Sequence, residues 1–150
     1  VNDRDDSLMR LRYPVWFMTY GGPQAPTVFD SWSGRLWDNA MAHEGFVIFR
    51  ADPRSASGKG AVSAWTSYKQ LGVGELADIE TAIKWLCKNP WVDAGRIGMS
   101  GHSYGGFMTN WLITQYPDRF AAAIPGAGIV NWVSDYGTAD IARTKETPNA

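Results

Sequence analysis

Ser103 stands in the run Gly101-His102-Ser103-Tyr104-Gly105-Gly106, and Gly-x-Ser-x-Gly is a spacing that nucleophilic serines use. The strand-like stretch Gly95-Arg96-Ile97-Gly98-Met99-Ser100 runs into it, and a helix-like stretch, Phe107 to Tyr116, follows. Strand, tight turn and helix in that order make the context of a nucleophile elbow. Such a turn drives the serine into an unfavourable backbone conformation. The residues two before and two after it must be small, because a Cβ there would crowd the strand and the helix. Gly101 and Gly105 meet that need. Ser103 Oγ is then expected above the sheet at the N-terminus of the helix, where free N–H groups and the helix dipole favour developing negative charge. The alternative is a glycine-rich turn with an incidental serine; the flanking strand and helix favour the nucleophile.

The elements that must position this serine are legible along the chain. Tyr13 to Tyr20 is a nearly continuous apolar run, as in a buried strand of a parallel sheet, and it breaks at Gly21-Gly22-Pro23. A helical stretch from Leu36 to His43 leads to Gly45, a good helix stop, and Phe46 to Arg50 reads as the next buried strand. Asp52 to Gly60 reads as a loop. Glu75 to Lys88 is the clearest helix, with Leu76, Ile79, Ile83 and Leu86 recurring on one face and Pro90 ending it. Phe120 to Ile124 reads as another buried strand, ending at Pro125-Gly126. Residues 1–11 form a polar connecting segment, and Arg143 to Ala150 a charged tail. Alternating strands and helices predict an α/β fold: a doubly wound, mostly parallel sheet.

Composition narrows the function classes. The 150 residues are of single-domain size, and 45% hydrophobic with 19% charged residues fits a globular chain. Net charge is −1, from 14 basic and 15 acidic residues that are intermixed, which argues against nucleic acid or an anionic membrane surface as a partner. Apolar stretches fall short of the ~20 residues that span a bilayer. Val1-Asn2-Asp3-Arg4-Asp5-Asp6 does not resemble a signal peptide, so the sequence assigns no compartment. The single cysteine, Cys87, excludes a disulfide or a cysteine-based metal site within these residues and reads as a small core residue. No ligand cluster or phosphate loop implies a metal or organic cofactor. Eight tryptophans suit aromatic pockets or a large interdomain face, with most expected in the core.

An acyl-transfer site needs donors aimed at the tetrahedral oxyanion, and ligands of such sheets bind at the carboxyl ends of the strands. The N–H of Tyr104, next after the serine, supplies one donor. The second is expected from the loop Tyr20-Gly21-Gly22-Pro23 after the first strand, where glycines let backbone approach closely.

Several motifs, in order, resemble the catalytic domain of the prolyl oligopeptidase family, which includes dipeptidyl peptidases IV and acylaminoacyl peptidases. They are Tyr20-Gly21-Gly22-Pro23, Asp52-Pro53-Arg54, the run Leu71 to Asp78 (LGVGELAD), Asp93-Ala94-Gly95-Arg96-Ile97 and GHSYGG. The likeness runs from about Tyr13 to Ile141, and Asn131 to Ile141 is most similar to acylaminoacyl-peptidase-like members. It implies an α/β-hydrolase fold and serine peptidase activity on short peptides. It also implies a β-propeller domain in the same polypeptide. Tyr20 matches a tyrosine whose hydroxyl completes the oxyanion hole in dipeptidyl peptidases; in acylaminoacyl peptidases the donor is a backbone N–H, here that of Gly22. By the same resemblance Tyr104, Ile129, Trp132 and Tyr136 line the pocket for the residue before the scissile bond. Asp135 and Ala139 fall near places where dipeptidyl peptidases hold further tyrosines. Where the family usually reads Arg-Gly-Ser-Gly, this chain has Arg54-Ser55-Ala56-Ser57-Gly58, and a structural role is expected for that loop.

A serine hydroxyl needs a general base that is itself oriented by a carboxylate, in the chain order serine, acid, histidine for this fold. Of the two histidines, His102 directly precedes Ser103 and His43 sits at a helix end; none follows Ser103. The resemblance implies that acid and base come after one or two further βα units, so Asp118, Asp135 and Asp140 follow Ser103 too soon. Residues 1–150 therefore read as the front part of a catalytic domain, without its acid and base and nearly inactive alone. A carboxylesterase of the same fold and a catalytically silent fragment or scaffold are the alternatives.

Overall fold

The computed structural model describes residues 11–32, 34–56 and 58–139. The apolar run after Arg12 forms strand β1, Tyr13–Met18, and its side chains divide between two faces. Val15 and Phe17 are fully buried on one face, whereas Trp16 turns to the other. Strand β1 lies between β2 (Val47–Arg50) and β3 (Val92–His102), and β3 pairs in turn with β4 (Ala122–Gly126). All pairings are parallel, giving a four-stranded sheet of order β2-β1-β3-β4.

The described residues also form five α-helices, α1 (Leu36–His43), α2 (Ala61–Trp65), α3 (Val73–Leu86), α4 (Tyr104–Gln115) and α5 (Trp132–Thr138), and a short 3-10 turn at Pro117–Arg119. Val15, Phe17, Ile97 and Met99 of the sheet pack with Ile79, Ile83 and Leu86 of α3 and with Tyr104, Phe107, Met108 and Leu112 of α4. On the opposite face the Trp16 ring meets Trp37 of α1 edge-on and lies flat over Gly98, where a Cβ would come within 2.3 Å of it. Its Nε1 donates to Ser100 Oγ at 2.8 Å. Helix α1 is tied to β2 by Arg50, whose guanidinium donates to both carboxylate oxygens of Asp38 at 2.6 and 2.8 Å. Helices on both faces of a parallel sheet make the doubly wound arrangement that the alternation predicts.

The elements differ from expectation in three respects. Helices α2 and α5 are absent from the sequence reading, being too short to show a 3.6-residue period. The strands expected to be buried at Phe46 to Arg50 and Phe120 to Ile124 are the edges of the sheet among the described residues; β2 is half-buried throughout and Ile124 of β4 is 60% exposed. Most tryptophans are not in the core: Trp32, Trp37, Trp65, Trp85, Trp91 and Trp111 are exposed, Trp16 is buried and Trp132 half-buried. The expected helix stop holds, with Gly45 at φ +85° donating its N–H to Ala42 O. Cys87 is half-buried against the core. Residues 1–10 of the expected connecting segment and the charged tail lie outside the described residues.

Leu36, Val62, Ile124, Val130 and Val133 are all exposed, and both edge strands leave one side of their backbone unpaired among the described residues. Such edges and apolar patches promote association. The isolated 150-residue chain is expected to self-associate in light scattering; a soluble monomer with a sharp, reversible thermal transition would contradict this.

Candidate active site

Ser103 ends β3 and opens α4 with φ +59° and ψ −119°, a conformation that costs a non-glycine residue about 1–3 kcal/mol. Backbone bonds hold it from both sides. Its N–H donates to Gly126 O at the end of β4 (2.9 Å), and its carbonyl accepts the N–H of Phe107 (3.0 Å). The two glycines expected to be obligatory are so for a visible reason. A Cβ on Gly101 would lie 2.4 Å from the Gly105 carbonyl oxygen, and one on Gly105 would lie 2.5 Å from that of Thr19. A second close approach went unread in the sequence: a Cβ on Gly106 would lie 2.3 Å from Gly126 O, and one on Gly128 would lie 2.7 Å from the carbonyl carbon of Gly106.

The chain steps from β1 to β2 on one side, then returns past β1 to place β3 on the other. The order therefore reverses between β1 and β3, and a crevice is expected at their carboxyl ends. Tyr20 follows β1 and Ser103 follows β3, with Met18 and Ser100 in register just before them. The first N–H groups of α4, that of Tyr104 included, have no acceptor within the helix and carry its positive dipole end. The Tyr20 ring covers Gly22, where a Cβ would fall 2.4 Å from ring carbon Cε1, so only glycine permits this ring position. Tyr20 and Tyr104 rings stand 6.2 Å apart, and Tyr104 and Trp132 rings 5.8 Å. Ile129 and Trp132 both pack against the buried cluster that contains Tyr104. Tyr136, one turn beyond Trp132 on α5, is exposed.

The loop after β2 fastens the loop after β1. Asp52 accepts the N–H and the hydroxyl of Thr27 (2.7 and 2.6 Å) and the N–H of Val28 (2.8 Å). Ser55 O accepts the Gln24 N–H, and Ser55 Oγ donates to Gly21 O. Arg54 reaches the other way: its N–H and Nε donate to Asp78 Oδ2 of α3 at 2.7 and 2.8 Å. The structural role expected of the Arg54 loop is thus visible as a brace between α3 and the backbone of Gly21 and Gln24. His102 is exposed and shares a shallow cavity with Met18, Arg35, Arg50 and Ser100; His43 is exposed at the end of α1.

The sequence profile of the prolyl oligopeptidase family matches residues 31–150. The chain belongs to the prolyl oligopeptidase family. It is 36% identical to dipeptidyl-peptidase 5 of Porphyromonas gingivalis over 129 residues, 86% of this chain and 19% of that protein. It is 30% identical to the acylamino-acid-releasing enzyme of Mus musculus over 132 residues, 88% of this chain and 18% of that one. The crystal structure of Porphyromonas gingivalis dipeptidyl peptidase 4 superposes with a TM-score of 0.82 at 33% identity, covering 93% of this chain and 20% of that one. The chain thus spans about a fifth of the length of these relatives. Its sheet and helices are those of the family's α/β-hydrolase catalytic domain. No helix among the described residues is long and apolar enough to cross a membrane.

One residue of this family member escaped sequence reasoning. Glu75, in the first turn of α3, is 1% exposed, and its Oε1 accepts the Tyr104 hydroxyl at 3.1 Å. Burial, and then the charge and hydrogen bond of Glu75, push the Tyr104 phenol well above its usual range, so it stays protonated and donates. The signal was present: Glu75, Ile79 and Ile83 recur every four residues, which puts a carboxylate on the buried stripe of the helix.

Two predictions follow from the packing. Replacing Gly105 by Ala is expected to lower stability by about 3 kcal/mol, since backbone must move; Gly95→Ala, where the nearest atom to a Cβ is Asp93 Oδ1 at 3.5 Å, serves as the mild comparison in urea unfolding. The hydrogen bond from Arg54 holds the Asp78 carboxyl below its ordinary value of 3.8. Its folded value is lower than its unfolded one, so the brace is at full strength above that pH and weakens as pH falls below it. Asp78→Asn is expected to speed amide exchange in the Asp52 to Gly60 loop about threefold at pH 7, and the difference from wild type should vanish in strong acid.

Proposed function

We propose that this segment carries the nucleophile and the oxyanion site of a serine peptidase that acts on short peptides as an exo- or oligopeptidase. The observation that supports it most is the backbone of Ser103, held at φ +59° where β3 meets α4, beside the crevice between β1 and β3. Positive φ alone is not the signal, since Gln24, Lys69 and Ala127 share it; at Ser103 it falls on a hydroxyl residue at the junction of β3 and α4, with ψ −119°. Ser103 Oγ attacks the scissile carbonyl carbon as its proton passes to a general base. The tetrahedral oxyanion accepts hydrogen bonds from the Tyr104 N–H and the Tyr20 hydroxyl, the Gly22 N–H being the alternative to the latter. Collapse expels the amine, which takes the proton from the base; water, giving a proton to the same base, then attacks the acylated serine, and that proton returns to Ser103 Oγ as the acid leaves.

The base and its carboxylate are supplied by the polypeptide beyond residue 150. His102 directly precedes Ser103, His43 ends α1, and no histidine follows Ser103 in these residues, while the relatives are far longer than the span they share with this chain. In this reading a β-propeller domain belongs to the same polypeptide, and residues 1–150 alone are nearly silent. Tyr104, Ile129, Trp132 and Tyr136 form the pocket for the side chain before the scissile bond, which their apolar walls would suit to an apolar residue.

A fluorophosphonate probe is expected to label Ser103 in the longer polypeptide and not in the isolated 150 residues. Ser103→Ala should abolish labelling and reduce kcat on peptide amides by about 10⁶-fold. An enzyme that cleaves simple esters but no peptide amide would instead be an esterase. Tyr20→Phe should lower kcat by about 10²-fold if its hydroxyl serves the oxyanion; an unchanged kcat hands that role to Gly22.

A further inference from the structure

Glu75 is the buried charge that the proposed chemistry leaves unused. A carboxylate at 1% exposure is costly to desolvate, and its Oε2 has no hydrogen-bond partner among the described residues. Its neighbours on the same helical stripe, Ile79 and Ile83, show that an apolar side chain suits this face of α3. The acid sits in the first turn of α3, where the helix dipole favours it, just after Gly72 at φ +84°. That glycine lets α3 begin against α4: a Cβ there would lie 3.0 Å from the ring of Phe107. The close approach brings Glu75 Oε1 to the hydroxyl of Tyr104, the residue immediately after Ser103.

The Tyr104 ring is confined on several other sides. It meets Phe107 edge-on at 5.3 Å, Trp132 at 5.8 Å and Tyr20 at 6.2 Å. Aromatic contacts of this kind fix a plane loosely, since each is worth only about 0.5–1.5 kcal/mol and tolerates several geometries. At the far end of the ring the hydroxyl meets the Gly72 backbone and donates a directional hydrogen bond to Glu75 Oε1. The backbone of Tyr104 is held independently, by α4 and by the glycine contacts around the elbow.

We propose that Glu75 is a positioning residue for substrate selection: its hydrogen bond to the Tyr104 hydroxyl sets the ring as a wall of the pocket for the side chain before the scissile bond. The inference rests on the peptidase reading and deepens it. Glu75 itself touches neither the substrate nor Ser103 in this account. Its loss should alter which residue is accepted, while the serine remains reactive.

The test uses the full-length polypeptide carrying this segment, assayed on peptide amides with glycine, alanine, proline or phenylalanine before the cleaved bond. Fluorophosphonate labelling of Ser103 reports whether each variant is folded and whether the nucleophile works. In Glu75→Leu, and in Tyr104→Phe, the ratio of kcat/KM for the best large residue to that for glycine is expected to fall about tenfold, as a misplaced wall costs binding and orientation. Glu75→Gln, whose amide oxygen still accepts the phenol proton, should restore most of the ratio. The double variant Glu75→Leu/Tyr104→Phe should be no worse than either single one, the mark of a shared interaction. An unchanged ratio in labelled, folded Glu75→Leu overturns the inference and leaves the peptidase reading standing. If Glu75→Leu does not label, Tyr104→Phe, which removes a single oxygen, decides by the same ratio. A wild-type protein that neither labels nor cleaves any of the amides overturns the peptidase reading, and this inference with it.

Discussion

Backbone against backbone, with no side chain between, is the constraint on which the rest of this structure depends. Around the elbow, Gly101, Gly105 and Thr19 form one contact; Gly106, Gly126 and Gly128 form another. The first lets α4 start directly against the carboxyl end of β1, and the second seats it against the end of β4. Between them Ser103 has no freedom to relax, because its N–H is taken by Gly126 O and its carbonyl by the N–H of Phe107. The strain at the serine is thus sustained by packing on both flanks. Domains in which one residue is held in a poor conformation need this kind of over-determination around it.

The second layer of control lies in the loops. The loop after β1, which contains Tyr20 and Gly22, is fastened by polar staples from the loop after β2. Asp52 satisfies three donors of Thr27 and Val28, Ser55 joins Gln24 and Gly21, and Arg54 ties the whole to Asp78 of α3. Helix α3 therefore bears on the site twice, through Asp78 on the loop side and through Glu75 on the Tyr104 side. A displacement of α3 would be felt at both walls of the crevice at once.

Much of this was legible because it is local. Gly-x-Ser-x-Gly between an apolar strand and a helix states its own geometry, and Gly101 and Gly105 could be assigned a reason from the turn alone. The helix from Glu75 was legible from its period, and the loop signal at Gly21-Gly22-Pro23 from its turn chemistry. What could not be read is what depends on the third dimension. Gly106 and Gly128 lie far apart in sequence, and nothing local says that they touch. Tryptophans read as core because of their size, yet six stand exposed, since burial of a large ring depends on which surface faces it. Strands β2 and β4 carry the apolar composition of buried strands and stand at the edges of the sheet among the described residues, a consequence of strand order that composition does not encode. Glu75 was passed over although it stands four residues before Ile79 on the buried stripe, and nothing local points to its partner 29 residues onward.

The distribution of burial explains how the described residues hold the elbow. The two central strands, β1 and β3, carry the serine and the tyrosine loop, and they are covered on one face by α3 and α4 and crossed on the other by Trp16. Val15, Phe17, Ile97 and Met99, the residues beneath the crevice, are all buried essentially completely. Exposure rises outward, to Ile124 on one edge and to a half-buried β2 on the other. A site placed at the reversal of strand order is placed, by the same topology, at the middle of the sheet. The position that creates the crevice is therefore also the position farthest from either edge, and the geometry of Ser103 is set by contacts made within the described residues themselves.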